Sequence, residues 1–292
     1  MSYKPSVEGI KTVLVTLLAK NPKLEEILQL ALEERFMDLA QVLTRYNSRT
    51  DFIKLGAAKN IDEIAYVLTD LEKREFEEVR NILPQEIQLF YGIFLTFFDL
   101  DNIYSAILSK DKKLTKLIFS RSQEIEIYSK CFESKEYVCL LKEFLRGIKS
   151  SLDVGVVKKL FIGSYAKALS CIALLVTSRY CKYVLNANKL GITPKESLQE
   201  FVENVIYKYM PREPSGWLII AKISDVATYF HEVFKKDPSK ITLYEAEYIY
   251  KMCKDLLLYS PQLIDLLTLY LINRYYEVYT LKFILPQSRV FR

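Results

Sequence analysis

Leu89-Phe90-Tyr91-Gly92-Ile93-Phe94-Leu95-Thr96-Phe97-Phe98, followed at once by Asp99-Leu100-Asp101-Asn102, is the stretch on which the fold turns. The first ten residues are apolar nearly all round, and the polar group after them leads into an amphipathic Ile103-Tyr104-Ser105-Ala106-Ile107-Leu108. A helix apolar on every side is one buried among other helices, and a polar cluster marks where it emerges or meets another helix end. Pro84 punctuates the chain just before, so a single long helix is expected from Gln85 to Ser109.

Two other places repeat the pattern. Ala168 to Val176 is apolar and runs into Thr177-Ser178-Arg179-Tyr180-Cys181-Lys182; Leu263 to Ile272, apolar apart from Asp265 and Thr268, leads to Glu277-Val278-Tyr279-Thr280 and Leu281-Lys282-Phe283-Ile284-Leu285. Three such units suggest an old triplication, with irregular spacing that argues against a regular solenoid. Helix signals fill the intervals. Asn21-Pro22 and Ser260-Pro261 read as caps followed by a first-turn proline, and Asn60 to Glu63, Thr193 to Glu196 and Thr242 to Glu245 have the form of capping boxes. Phe36 to Tyr46 keeps helical spacing, whereas Arg212 to Ile223, with Pro214, Gly216 and Trp217, reads as a loop or a short β pairing. With no run of alternating strands and only 8 glycines, the expected class is all-α.

Composition permits a large core: of 292 residues half are hydrophobic, with 21 Tyr and 16 Phe. A net charge of +5 without any dense basic block argues against nucleic acid as a partner, and fits mild attraction to an acidic surface. The five cysteines, Cys131, Cys139, Cys171, Cys181 and Cys253, show no C-x-x-C spacing and read as reduced core thiols. No stretch reads as the roughly 18–20 apolar residues that cross a bilayer, and the N-terminus lacks the pattern of a signal peptide.

Three copies of one motif in order resemble the helical repeats of the connector between central stalk and membrane ring in rotary ATPases, the C-type connector of archaeal enzymes and the d-type connector of vacuolar ones. The family motif is an acid, two residues, Asn, a hydrophobe, a basic residue, then aliphatics ending in a basic residue. Here Asp99, Asn102, the aliphatics and Lys110 match, with Tyr104 at the inner basic position. The last copy keeps Glu277, Leu281, Lys282 and Ile284, with Thr280 in place of Asn; the middle copy has Thr177 and Tyr180 for the acid and the Asn, but retains Lys182 and Lys189-Leu190-Gly191-Ile192. Val7-Glu8-Gly9-Ile10-Lys11 is similar to the family's opening helix. The resemblance implies three helical units, residues 1–113, 114–192 and 193–292, forming one compact, funnel-shaped body. It also implies a mechanical role on the cytoplasmic side of the membrane, with D- and F-type stalk proteins and the rotor ring as partners, and no cofactor.

Chemistry has few candidates beside this. His231 stands alone, so a multi-histidine zinc site is out of reach. No phosphate-binding loop or nucleophile elbow occurs, and Asp99-Leu100-Asp101 lacks the D-D-x-x-D spacing that a helical terpenoid synthase needs for magnesium. No catalytic, metal or cofactor residue is therefore expected. Asp99, Asn102, Lys110, Lys182, Glu277 and Lys282 are the expected structural motif residues. Asp99 reads either as a buried acid bonded to a neighbouring helix N-terminus or as the point where the helix meets water. Lys110, Lys112 and Lys113 read either as a solvated loop or as a contact with an acidic partner or lipid headgroups. The competing reading is a helical protein-interaction scaffold unrelated to ATPases.

Overall fold

The computed structural model describes residues 5–20, 23–35, 38, 61–109, 118–153, 165–209, 214–259 and 261–284. The fold is all-α, with thirteen α-helices and no strand among the described residues. The first five are α1 (Val7–Leu18), α2 (Leu24–Leu32), α3 (Ile61–Ile82), α4 (Gln85–Leu95) and α5 (Leu100–Ser109); then come a 3-10 turn (Ser122–Tyr128), α6 (Cys131–Ser134) and α7 (Tyr137–Asp153). The remainder are α8 (Ala166–Lys189), α9 (Leu198–Phe201), a π turn (Val202–Ile206), α10 (Tyr207–Tyr209), α11 (Pro214–Lys236), α12 (Ile241–Leu258) and α13 (Leu263–Ile284), with a 3-10 turn (Pro238–Lys240) before α12.

The deciding stretch is helical and buried, but it is not one helix. After Leu95 the chain tightens, and Thr96, Phe97, Phe98 and Asp99 each donate a backbone bond to the third residue back. A new helix, α5, then starts with Ile103 N–H bonded to the Asp99 carbonyl. The reason is polar. Thr96 and Asp99 are both fully buried, and an unpaired carboxylate in a core is costly; the break turns Asp99 towards donors that a continuous helix would not reach. On α4 itself Gly92 is needed for close approach, since a Cβ there would stand 2.2 Å from Glu124 Oε1.

α8 is the central element, packed against α7, α11, α12 and α13. By length and composition it is the one described helix able to cross a bilayer, and 78% of its most apolar window is buried inside the protein. α13 packs on α1, α2, α3, α8 and α12, so the last helices close directly on the first. α4 packs on α7, and α7 on α8. Each of the three sequence units therefore touches both others. Their common core is aromatic: Phe76 of α3 meets Phe98, Phe119 and Tyr270, while Phe97 meets Phe144 of α7 and Tyr275 of α13, all with centroids 5.0–6.3 Å apart.

Several local expectations change. The segment from Pro214 is helix rather than loop or β pairing; proline is well suited to a first helical turn, where its missing N–H has no partner to lose. Thr242–Glu245 is not a capping box, because α12 already starts at Ile241 and Glu245 lies inside it, turned to the core. The box expected at Thr193 sits instead at Ser197–Glu200, with both reciprocal bonds formed. Asp265 Oδ2 accepts the Gln262 N–H at 2.9 Å, which explains one acid in the apolar start of α13. The cysteines are not all free. Lys135 adopts a left-handed conformation (φ 55°) between α6 and α7, bringing the Cα atoms of Cys131 and Cys139 to 5.5 Å, and the two form a disulfide. Cys171, Cys181 and Cys253 are free and buried. The features expected at Asn21-Pro22, Asn60, Ser260 and the Lys110, Lys112 and Lys113 cluster lie outside the described residues, as does all of Phe36 to Tyr46 except Asp38.

Candidate functional site

The three motif-bearing segments meet at Arg179. This side chain on α8 is 9% exposed and uses each guanidinium nitrogen on a different element. Nε donates to the Tyr137 hydroxyl of α7 at 2.7 Å, Nη1 to the Tyr275 hydroxyl of α13 at 2.9 Å, and Nη2 pairs with Asp101 of α5 at 2.5 Å. The Tyr279 ring lies below the guanidinium, 6.0 Å to its centroid. Burial pushes the Tyr137 phenol up to about 12 despite the adjacent cation, so both partners stay in the forms that bond. Asp101, Arg179 and Tyr275 stand close to the three expected positions Asp99, Thr177 and Glu277, one from each copy.

The expected residues themselves have distinct local tasks. Asp99 is fully buried. Its Oδ1 accepts the Ile118 N–H at 3.0 Å, and Oδ2 accepts the N–H groups of Phe119 (2.9 Å) and Ser120 (2.8 Å) and the Ser120 hydroxyl (2.7 Å). Its partners are thus three successive backbone donors of an irregular segment, rather than a helix N-terminus. Asn102 is half-buried in the first turn of α5. Glu277 is buried in an ion pair with Arg274, whose Nε also pairs with Glu75 of α3 at 2.7 Å and whose Nη2 reaches the Leu17 carbonyl at the end of α1 at 3.3 Å. Lys182 is paired with Glu245 of α12. The middle copy, with Thr177 in place of an acid, therefore still meets a buried carboxylate, supplied by another helix. Glu245 also accepts the Ser178 hydroxyl at 2.6 Å and that of Tyr276 at 3.3 Å. Lys282 stands in the last turn of α13, and Lys110 lies outside the described residues. His231 is on an exposed face of α11.

Over Arg179 opens a cleft of about 320 Å³, lined by Asp101, Tyr104, Tyr137, Arg179, Lys182 and Tyr183 among others. Tyr137 and Tyr183 stack at 4.8 Å and Tyr104 meets Tyr137 edge-on, giving the cleft an aromatic wall. A second buried cross-link, away from this cleft, joins Arg80 of α3 to Glu124 at 2.5 Å, with Glu124 Oε2 accepting the Arg121 N–H.

Sequence reasoning missed Arg179, Glu245, Arg274 and the Arg80–Glu124 pair. On a helix each looks like an ordinary solvent-facing charge. The one usable signal was position: Arg179 and Arg274 each follow closely on an apolar run, as Asp99 does. Comparison of the chain with protein-family models, with curated proteins and with solved structures finds no match.

Proposed function

We propose that the protein is a non-catalytic connector of a rotary ATPase of the archaeal or vacuolar kind, joining the membrane rotor ring to the central shaft. The observation that supports this best is the meeting of the three motif segments at Arg179, together with the closure of α13 onto α1 and α2. Three related units around one cross-linked centre make a body whose parts cannot turn independently. A connector that carries torque needs that property more than it needs any reactive group.

The physical basis is stiffness. A twist applied at one end of a loosely packed bundle is lost as sliding between helices; close-packed interiors transmit strain instead. Here the sliding surfaces are pinned by buried hydrogen bonds and ion pairs between elements: Arg179 to the Tyr137 and Tyr275 hydroxyls of α7 and α13, Lys182 to Glu245 of α12, Arg274 to Glu75 of α3 and the Leu17 carbonyl of α1, and Arg80 to Glu124 of the Ser122–Tyr128 turn. Buried pairs of this kind add little net stability, but breaking one by removing a partner is costly, so in this reading they oppose sliding. In this reading the body is funnel-shaped, one end faces the ring's cytoplasmic loops, and the other receives the D- and F-type shaft proteins.

Affinity capture of the tagged protein from solubilised membranes tests the proposal. The expected result is co-recovery of the ATPase's catalytic, shaft and ring proteins in constant ratio. Recovery of soluble partners alone would replace the connector with an interaction scaffold.

A further inference from the structure

The cleft over Arg179 holds its charges unequally. Two cations line it, Arg179 and Lys182, with side chains 9% and 12% exposed. Their counter-ions are of different kinds. Glu245 is wholly buried and held by two hydroxyls as well as by Lys182, so it is a permanent part of the core. Asp101 stands at the rim with its side chain 63% exposed, and meets Arg179 through Nη2.

An exposed carboxylate in such a pair is weakly held, since water and salt compete for it. The other two donor positions of Arg179 are tied to the buried phenols of Tyr137 and Tyr275. The guanidinium is therefore rigidly aimed, with Nη2 turned to the cleft rim and an exchangeable acid upon it. Lys182 places a second buried cation beside the same cleft, and burial drives its pKa down even with Glu245 beside it. Tyr104, Tyr183, Asn186 and Thr242 add neutral hydrogen-bonding groups to the lining, beside the apolar Ile241. A volume of about 320 Å³ lies at the lower end of small-ligand pockets.

We propose that this cleft binds a small oxyanion, a carboxylate or phosphate compound, which displaces Asp101 from Arg179 and brings its charge within the field of Lys182. Asp101 is then a placeholder, occupying in the free protein the position that the ligand's anionic group takes. The Nη2 donor of Arg179 is suited to this, because a charge-assisted bond from a guanidinium to a carboxylate or phosphate oxygen is stronger than a neutral one. The inference stands apart from the connector reading and does not require it.

Isothermal titration calorimetry on the full chain at low ionic strength tests it, with citrate and inorganic phosphate as probes and chloride of equal ionic strength as control. The decisive variant is Asp101→Asn, which removes the rim carboxylate's charge while nearly keeping its shape. The expected result is saturable binding of at least one probe, tightened about fivefold or more in Asp101→Asn by loss of the competing pair, and absent for chloride. Preference for citrate or for phosphate assigns the ligand to carboxylates or to phosphates, and either supports the site. Failure of both probes to bind Asp101→Asn at about 10 mM, or equal affinity for the variant and the parent, would overturn it.

Discussion

Replacing Asp99 by leucine would leave the N–H groups of Ile118, Phe119 and Ser120 without their carboxylate in a segment packed against the core. Each donor stranded in this way costs about 1–3 kcal/mol. Asp99→Leu is therefore expected to lower the thermal midpoint clearly, with no effect on any small-molecule binding at the Arg179 cleft. An unchanged midpoint in a calorimetric scan would mean that the four bonds contribute nothing. Asp99 was legible in the sequence because an acid directly after ten apolar residues has to be either bonded or at the surface. Its partners were not legible, since they lie about twenty residues on in a segment without periodicity. Arg179 was harder still: its place after an apolar run was the one local signal, and its bond to Tyr275 spans 96 positions.

At the scale of elements, α8 and α12 are joined through Lys182 and Glu245. Glu245→Ala should cost about 3–5 kcal/mol by leaving a buried ammonium unpaired, while the double variant Lys182→Met with Glu245→Leu should recover most of that loss. Denaturant melts of the three proteins check this, and equal losses in single and double variants would contradict it. The link between α6 and α7 is covalent. Cys131–Cys139 closes a short loop, and loop-closure entropy assigns it about 2–3 kcal/mol. Reduction should lower stability by that order, and mass spectrometry of the unreduced chain should show three free thiols rather than five. On the proposed connector reading this disulfide would face the cytoplasm, where disulfides are expected chiefly in hyperthermophiles. Helix identity was readable from periodicity and caps, but ends were not. The Gln85 to Ser109 expectation missed the break at Thr96–Asp99 because only a tertiary partner makes the break favourable. The capping-box reading of Glu245 failed because a carboxylate three residues after a threonine can serve a distant lysine equally well.

For the whole molecule, the aromatic core sets the response to alkali. Burial pushes the phenols of Tyr91, Tyr270, Tyr275 and Tyr276 upward, and that of Tyr137 to about 12. Above pH 10 the unfolded chain releases these protons and the folded protein keeps them, so stability is fully present below about pH 10 and falls as pH rises towards the folded values. Lys182, whose pKa is lowered, works in the opposite sense but is a single group. Absorbance at 295 nm should therefore show a set of tyrosines ionising only as the protein unfolds; smooth titration of all 21 near pH 10 would contradict the buried core. The all-α class and the position of the apolar runs were visible in the sequence, whereas the closure of α13 on α1 was not, because no local pattern encodes a contact between chain ends. That closure and the Arg179 centre support the connector reading, which the motif resemblance suggested. The most direct measurement of it is to wash membranes bearing the intact motor with high salt or chelator and follow this chain and the shaft proteins in the released fraction. The account predicts that the chain is membrane-associated before the wash, leaves together with the shaft, and stays soluble without detergent. A chain found wholly in the soluble fraction while the motor is intact, or released only by detergent, would contradict it.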